Sequence, residues 1–336
     1  MSFVTNITHN ETMYYWRKKL KGKWYKWIFL FLKNLEIDIF CKNIETIDKS
    51  IKSNIDDKKV LNFKKNNNIN LSDKEHIAVI CPFFITDTIS LNQLLRFIES
   101  LNNQILPPSI VILIDDASPF PYILPPLSNT KLIRLEHNKG PAYARNVGIK
   151  ALQKDSLLNI KIIAFSDSDV IVSKNWLEQV FLGFVDNPDA FGISGITKSL
   201  GNTLFDIYHD INGTLNGRML QDYNTLLYAP TCNLALLFSC FECVSFDEDF
   251  PNAAGEDIVL CFYLMQNGYR IAYNSNMIVY HDFNYTPYNF IMNLKKMKKL
   301  FKKYAKGEKL LLSKIPNYYD FLNKSIEIQN PNYTDT

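Results

Sequence analysis

Three short apolar runs without charge mark the middle of the chain: His76 to Phe84 (HIAVICPFF), Ile110 to Ile114, and Ile162 to Phe165. Each is flanked by polar residues, which predicts strands covered on both faces. Lys131 to Leu135, Ala190 to Ile196 and Met277 to Tyr280 predict three more. Between them the period changes. Ile89, Leu91, Leu94, Leu95, Ile98 and Leu101 recur at helical spacing over Thr88 to Asn102. Gly140-Pro141 opens a helix through Ala144, Val147 and Leu152. Ser173 is the expected N-cap of a helix through Trp176, Leu177 and Val180. A further helix starts near Glu256 and stops at Gly268. The order β-α-β-β-α-β-α predicts an α/β domain with a mostly parallel central sheet, right-handed crossovers and flanking helices.

Two of these strands end in acids. The second runs into Asp115-Asp116-Ala117-Ser118 and the fourth into Ser166-Asp167-Ser168-Asp169. Open α/β sheets bind ligands beyond the carboxyl ends of their strands. If the chain turns after Asp167, both carboxylates converge on one cation. Hard oxygen ligands suit Mg²⁺ or Mn²⁺ shared with substrate phosphates. Turn residues at strand ends are the simpler reading of the same acids. No GxGxxG and no GxxxxGK[ST] follows a strand, so a dinucleotide-binding fold and a P-loop are both disfavoured. A nucleotide held without a glycine loop needs a metal to neutralise its phosphates.

Composition adds boundaries rather than chemistry. With 336 residues, 47% hydrophobic, the chain supports a sizeable core, and a net charge of +3 gives no argument for nucleic acid. Six scattered cysteines, with a single CxxC at Cys240 and Cys243, lack the four ligands of a zinc site and suggest buried free thiols in a reducing cytoplasm. Residues 1–75 differ in texture. Trp24 to Phe40 is aromatic but interrupted by charge; its uninterrupted apolar run, Trp27 to Leu32, is too short to span a bilayer, and no secretory cleavage pattern follows. It predicts a helix that packs on the domain or lies on a membrane surface. Residues 48–74 look like a solvated linker. From Phe290 a basic amphipathic helix is expected, with Phe290, Leu294, Met297, Phe301 and Tyr304 on one face and lysines around it. That charge run reads as a solvated face or as a contact with an anionic membrane. The expected organisation is therefore 1–75 as a helical extension and linker, 76–283 as the central domain, and 284–336 as a basic helical tail.

The blocks IAVICPFF, ILIDDAS, HNKGPAYARNVGI, FSDSDV and FDEDFPNAAGEDIVLCFYLMQNGYRI occur in this order over about residues 76–282. Together they resemble a family 2 glycosyltransferase of the GT-A fold, non-processive and inverting. The resemblance implies a nucleotide-sugar site comprising Pro82, Phe84, Asp115, Asp116, Arg145, Asp167 and Ser168, with Asp116 on the base. It implies Asp167 and Asp169 as a DxD, and His281 as the third group of the metal site. Glu256 and Asp257 would be the acidic pair near the acceptor, Asp257 the catalytic base. Relatives often carry glycine where Cys232 and Val244-Ser245 stand here, which puts the local shape of that segment in question.

The implied reaction is metal-dependent transfer of one sugar, with a UDP-sugar as the expected donor, to a nucleophile on a glycan, lipid or peptide. Residues 201–224, with Tyr208, His209, Asp210 and Arg218, are the expected acceptor contacts. No QxxRW is present, which argues against a processive synthase. The expected location is cytoplasmic, with a peripheral contact at the inner membrane face. Two alternatives stay open: a non-catalytic scaffold of the same fold, and a sugar-nucleotide pyrophosphorylase, which Pro82-Phe83-Phe84 disfavours because it is neither glycine-rich nor basic.

Overall fold

The computed structural model describes residues 9–44, 76–125, 129–155, 159–220, 225–323 and 325–327. The linker expected at 48–74 lies outside them. Two helices, α1 (His9–Lys19) and α2 (Lys26–Ile44), come first. They are followed by β1 (Ile77–Phe83), α3 (Thr88–Asn102), β2 (Ile110–Asp115), β3 (Thr130–Arg134), α4 (Pro141–Gln153), β4 (Ile162–Phe165), β5 (Val170–Val172), α5 (Trp176–Asp186) and β6 (Ala190–Ser199). The remainder is α6 (Leu204–Asn212), β7 (Arg218–Leu220), β8 (Thr225–Tyr228), β9 (Leu234–Leu237), α7 (Glu256–Gln266), β10 (Arg270–His281), α8 (Phe290–Lys314), α9 (Tyr318–Leu322) and β11 (Ser325–Glu327).

The central sheet has eight strands in the order β3-β2-β1-β4-β9-β6-β10-β5. The half from β3 to β4 is parallel, β9 runs antiparallel between β4 and β6, and β6 pairs in parallel with β10. This is the mixed, mostly parallel architecture expected from the residue pattern. Every residue of β1 and β4 is buried, as their unbroken apolar runs require. A smaller sheet, β11-β7-β8, shares no ladder with it but packs against β10 through β8.

Local chemistry fixes the ends of the elements. Asp87 caps α3, its carboxylate accepting the Ser90 N–H at 2.8 Å. Gly140 opens α4 at φ +87°, and a Cβ there would stand 2.5 Å from the Pro251 carbonyl oxygen, so no side chain fits. The predicted cap Ser173 is not the cap of α5. The helix begins after Asn175, and only the Ser173 carbonyl takes part, accepting from Trp176 N. Asn233 ties the sheet to α5: it accepts from Trp176 Nε1 and donates to the carbonyls of Ile196 and Met277.

Helices α2 and α8 pack together over α6 in a second apolar core that includes Phe29, Leu32, Phe40, Tyr208, Met297 and Phe301. Beside it Lys33 donates to Glu36 and to Asn212, and the Tyr208 hydroxyl donates to Glu36. Burying an ion pair is tolerable only when its remaining polar atoms are also bonded. Tyr208 is therefore committed to the fold. So are the other residues expected to meet an acceptor. His209 bonds Thr214 and Tyr285, Asp210 accepts the Ser199 N–H, and Arg218 donates to Ser325. Of that segment's described residues, Thr214 and Leu215 reach the cavity described next.

Candidate active site

A cavity of about 760 Å³ opens beyond the carboxyl end of β4. Its wall includes Asp167, Asp169, Glu256, Asp257 and His281. The topology explains this convergence. Strand β4 delivers Asp167 and Asp169 into a turn, after which β5 pairs antiparallel with β10 and sets Val170 opposite His281. The Asp169 carbonyl accepts from Asp282 N at 2.8 Å, which closes that register. His281 Nε2 lies 3.4 Å from Asp169 Oδ1, while its buried Nδ1 has no hydrogen-bond partner. Burial raises the Asp169 carboxyl above its ordinary range, against the pull of His281.

Arg145 organises the acids. Its side chain, almost wholly buried, forks between Asp167 at 2.7 Å and Glu256 at 3.0 Å. Glu256 also accepts the Ala254 N–H at 2.7 Å. Both acids are thereby held in place, whereas Asp257 makes no ion pair among the described residues. Asp257 heads α7 and accepts from Ile258 N. Its carboxyl is pushed up to about 7, chiefly by burial and then by the charge of Glu256, with Arg145 opposing.

The remaining residues predicted for the nucleotide site do not line this cavity. Pro82 is buried in β1 opposite Ile114, and Phe84 is exposed just beyond the strand. Asp115 accepts from Ser118 N, the Tyr122 hydroxyl and Arg134. Asp116 accepts from Lys139 N and Gly140 N, both at 2.8 Å, and so clamps the loop before α4. Burial raises its carboxyl; those two bonds oppose the rise. Ser168 is partly buried in the turn between Asp167 and Asp169. Of the expected buried thiols Cys243 is exposed, because it falls after the short turn that buries Cys240.

Residue patterning did not place α8 at this site. Its lysines Lys296, Lys299, Lys302, Lys303 and Lys306 line the same cavity as the acids. The apolar stripe around Met297, Phe301 and Ala305 is buried, so it is not a free face for a membrane. Helical amphipathicity announced that stripe but not which wall the charged face would form.

Among the described residues no three His, Cys, Asp or Glu side chains cluster closely enough to hold a metal by themselves. The Asp169–His281 pair nevertheless fits a Mg²⁺ or Mn²⁺ site of the kind completed by substrate. Such ions are commonly bound by one or two protein groups plus phosphate oxygens and water. Asp167 contributes to the same wall but is already bonded to Arg145.

Residues 78–245 match the family model described as glycosyl transferase family 2. Two curated proteins named pre-mycofactocin glycosyltransferase, from Mycobacterium tuberculosis strains CDC 1551 / Oshkosh and ATCC 25618 / H37Rv, are each 29% identical to this chain over 182 residues. The match covers 51% of this chain and 37% of theirs, so the chain spans little more than a third of those relatives' length. Among solved structures, S. aureus TarS 1-349 in complex with UDP aligns with a TM-score of 0.46 at 19% identity, covering 73% of this chain and 72% of that one. S. aureus TarS 1-349 gives 0.47 at 20% identity over 74% and 71%.

Proposed function

The chain belongs to glycosyl transferase family 2, and we propose that this glycosyltransferase moves a sugar from a UDP-sugar to a nucleophile of its acceptor with inversion at the anomeric carbon. The observation that carries the reading is Asp257. It stands with a carboxyl near 7 in the cavity that Asp169 and His281 also line, while its neighbours Asp167 and Glu256 are bonded to Arg145. A base is most effective when its pKa lies near the working pH. Asp257 receives the acceptor proton as the nucleophile attacks. Asp169 and His281, 3.4 Å apart, would hold a divalent metal, which would supply Lewis-acid neutralisation of the leaving diphosphate. Arg145 keeps Asp167 and Glu256 in register with both. A panel of nucleotide sugars, assayed for release of nucleoside diphosphate with and without Mn²⁺, tests the reading. Release from no member of the panel in the presence of varied acceptors would reject it.

Asp169→Ala should remove the metal dependence of UDP binding. The side chain is about a third exposed, so the fold should survive its loss. Isothermal titration of UDP with and without Mn²⁺ makes the comparison. If the wild type binds UDP equally well in both conditions, Asp169 and His281 are not metal ligands.

No helix among the described residues is long and apolar enough to cross a membrane. The peripheral membrane contact is better supported at the N-terminal hairpin than at α8. Trp24 is 77% exposed, Trp27 75% and Phe31 50%. Their spacing in α2 and its preceding turn puts them on one side, opposite the buried Phe29. Arg17, Lys18, Lys21 and Lys23 are exposed beside them. Aromatic rings with flanking cations suit the interface of an anionic bilayer. Trp24→Ala combined with Trp27→Ala should weaken sedimentation with phosphatidylglycerol vesicles by about a hundredfold or more, since each of the two rings kept from the bilayer forfeits ~1.5 kcal/mol or more. Unchanged sedimentation would remove the hairpin from any membrane role.

A further inference from the structure

Helix α8 forms the basic wall of the active-site cavity, and its seat there is fixed. Met297, Phe301 and Ala305 are buried against the N-terminal helices. Gly307 approaches the loop before α7 so closely that a Cβ would lie 2.1 Å from the Ala254 carbonyl oxygen. That loop leads directly into Glu256 and Asp257. The backbone contact therefore sets the lysines beside the expected base. Lys296, Lys299, Lys303 and Lys306 follow i, i+3, i+7 and i+10, the spacing of a single helix face. From Lys299 to Lys306 the row extends ~10 Å along the axis.

Two of these cations are occupied. Lys296 donates to the Asn284 carbonyl, and Lys303 sits over the Tyr304 ring. Lys299, Lys302 and Lys306 are exposed and have no ion-pair partner among the described residues. They differ in this from Lys314, which is paired with Asp247 and Asp249. Three free ammonium groups facing a cavity, rather than spread around a helix, repel one another until an anion enters. Amines on flexible stems suit phosphate oxygens, which they bind as point charges. In the proposed function the donor diphosphate is already served by Asp169 and His281.

We propose that Lys299, Lys302 and Lys306 bind a phosphate-bearing acceptor and guide its nucleophile to Asp257. This names the acceptor class of the site and rests on the reading that the acceptor enters beside Asp257. The phosphate could come from a soluble phosphodiester chain or from a lipid headgroup; the lysines recognise the chemistry the two share.

The test uses the full chain saturated with UDP and Mn²⁺, so that phosphate cannot enter through the donor site. Binding of a soluble glycerol phosphate oligomer is measured by isothermal titration against a neutral oligosaccharide and against a galacturonate oligomer. The expected result is binding of the phosphodiester in preference to both, weakened as salt rises. Joint replacement of Lys299, Lys302 and Lys306 by glutamine should weaken it about tenfold or more, as expected for lost charge-assisted bonds. UDP affinity should be unchanged. Binding of the neutral or carboxylated oligomer equal to that of the phosphodiester would overturn the proposal, as would an unaffected triple variant. A triple variant that loses UDP affinity instead would assign the lysines to the donor. Loss of vesicle binding in the lysine variant, but not in the tryptophan variant, would support a lipid phosphate as the source. Failure of the wild type to bind UDP rejects the glycosyl-transfer reading separately: there is then no donor site to block, and the phosphodiester titration still reads the lysines.

Discussion

Asp257→Asn should leave UDP binding intact and lower sugar transfer by ~10²–10⁴-fold, the range for loss of a general base. Asparagine keeps the shape of the side chain and can still accept from Ile258 N. It cannot take a proton. The donor groups, Asp169 and His281, belong to a different strand pair and are untouched. The pH dependence gives a second reading. With its carboxyl raised from 3.8 to about 7, Asp257 is protonated and idle in mild acid, so wild-type transfer should rise as pH passes through about 7. The stability effect runs the other way. A carboxyl whose folded pKa lies above its unfolded value favours the folded state fully below pH 3.8, and that contribution is lost as pH rises through about 7. Asp257→Asn removes the penalty of burying the ionised form, so above pH 7 the variant should melt no lower than the wild type. Transfer rates at saturating donor and melting curves across pH check both. Near-normal transfer to a hydroxyl acceptor would remove Asp257 from the mechanism. A thiol acceptor should blunt the loss, because part of it is already ionised near neutral pH.

Most of the sheet was legible because burial on both faces leaves an unbroken apolar run. Strands β1, β2 and β4 each carry one, and the helices between them carry the 3.6-residue period. Short strands were not legible. Three residues in β5, β7 or β11 are too few to show any period. Acids at strand ends were visible as residues, yet their partners were not. Asp116 is occupied by the backbone N–H groups of Lys139 and Gly140, a bond pattern that depends on how a loop more than twenty residues later folds back. The role of α8 failed to show for the same reason. Its lysines read as a solvated face until Gly307 meets Ala254, a contact between segments that residue patterning along one helix does not encode. Tyr208 and His209 take part in a buried polar layer with Glu36 and Tyr285, which also accounts for the polar and aromatic texture of that segment.

Arg145→Met should destabilise the protein by ~3–5 kcal/mol, the cost of removing one member of a buried ion pair. Methionine fills much of the volume but offers no donor. The Asp167 and Glu256 carboxylates would then share a low-dielectric site with Asp257 and no cation between them. Glu256 is the more exposed to this loss: it is buried, and its one remaining partner would be the Ala254 N–H. Arg145→Lys should recover part of the deficit. A single ammonium can meet one carboxylate, whereas the planar guanidinium reaches two at 2.7 and 3.0 Å. Urea unfolding of the three proteins measures the order, with wild type above lysine and lysine above methionine. The same variants separate a positioning role from a merely structural one. Arg145 now opposes the rise of the Asp257 carboxyl, so its removal should push that group above about 7. In the folded fraction, the limb on which transfer rises with pH should therefore move to higher pH, most for methionine and less for lysine. A variant that loses stability but keeps the wild-type profile would mean that Arg145 holds the fold together without tuning the base.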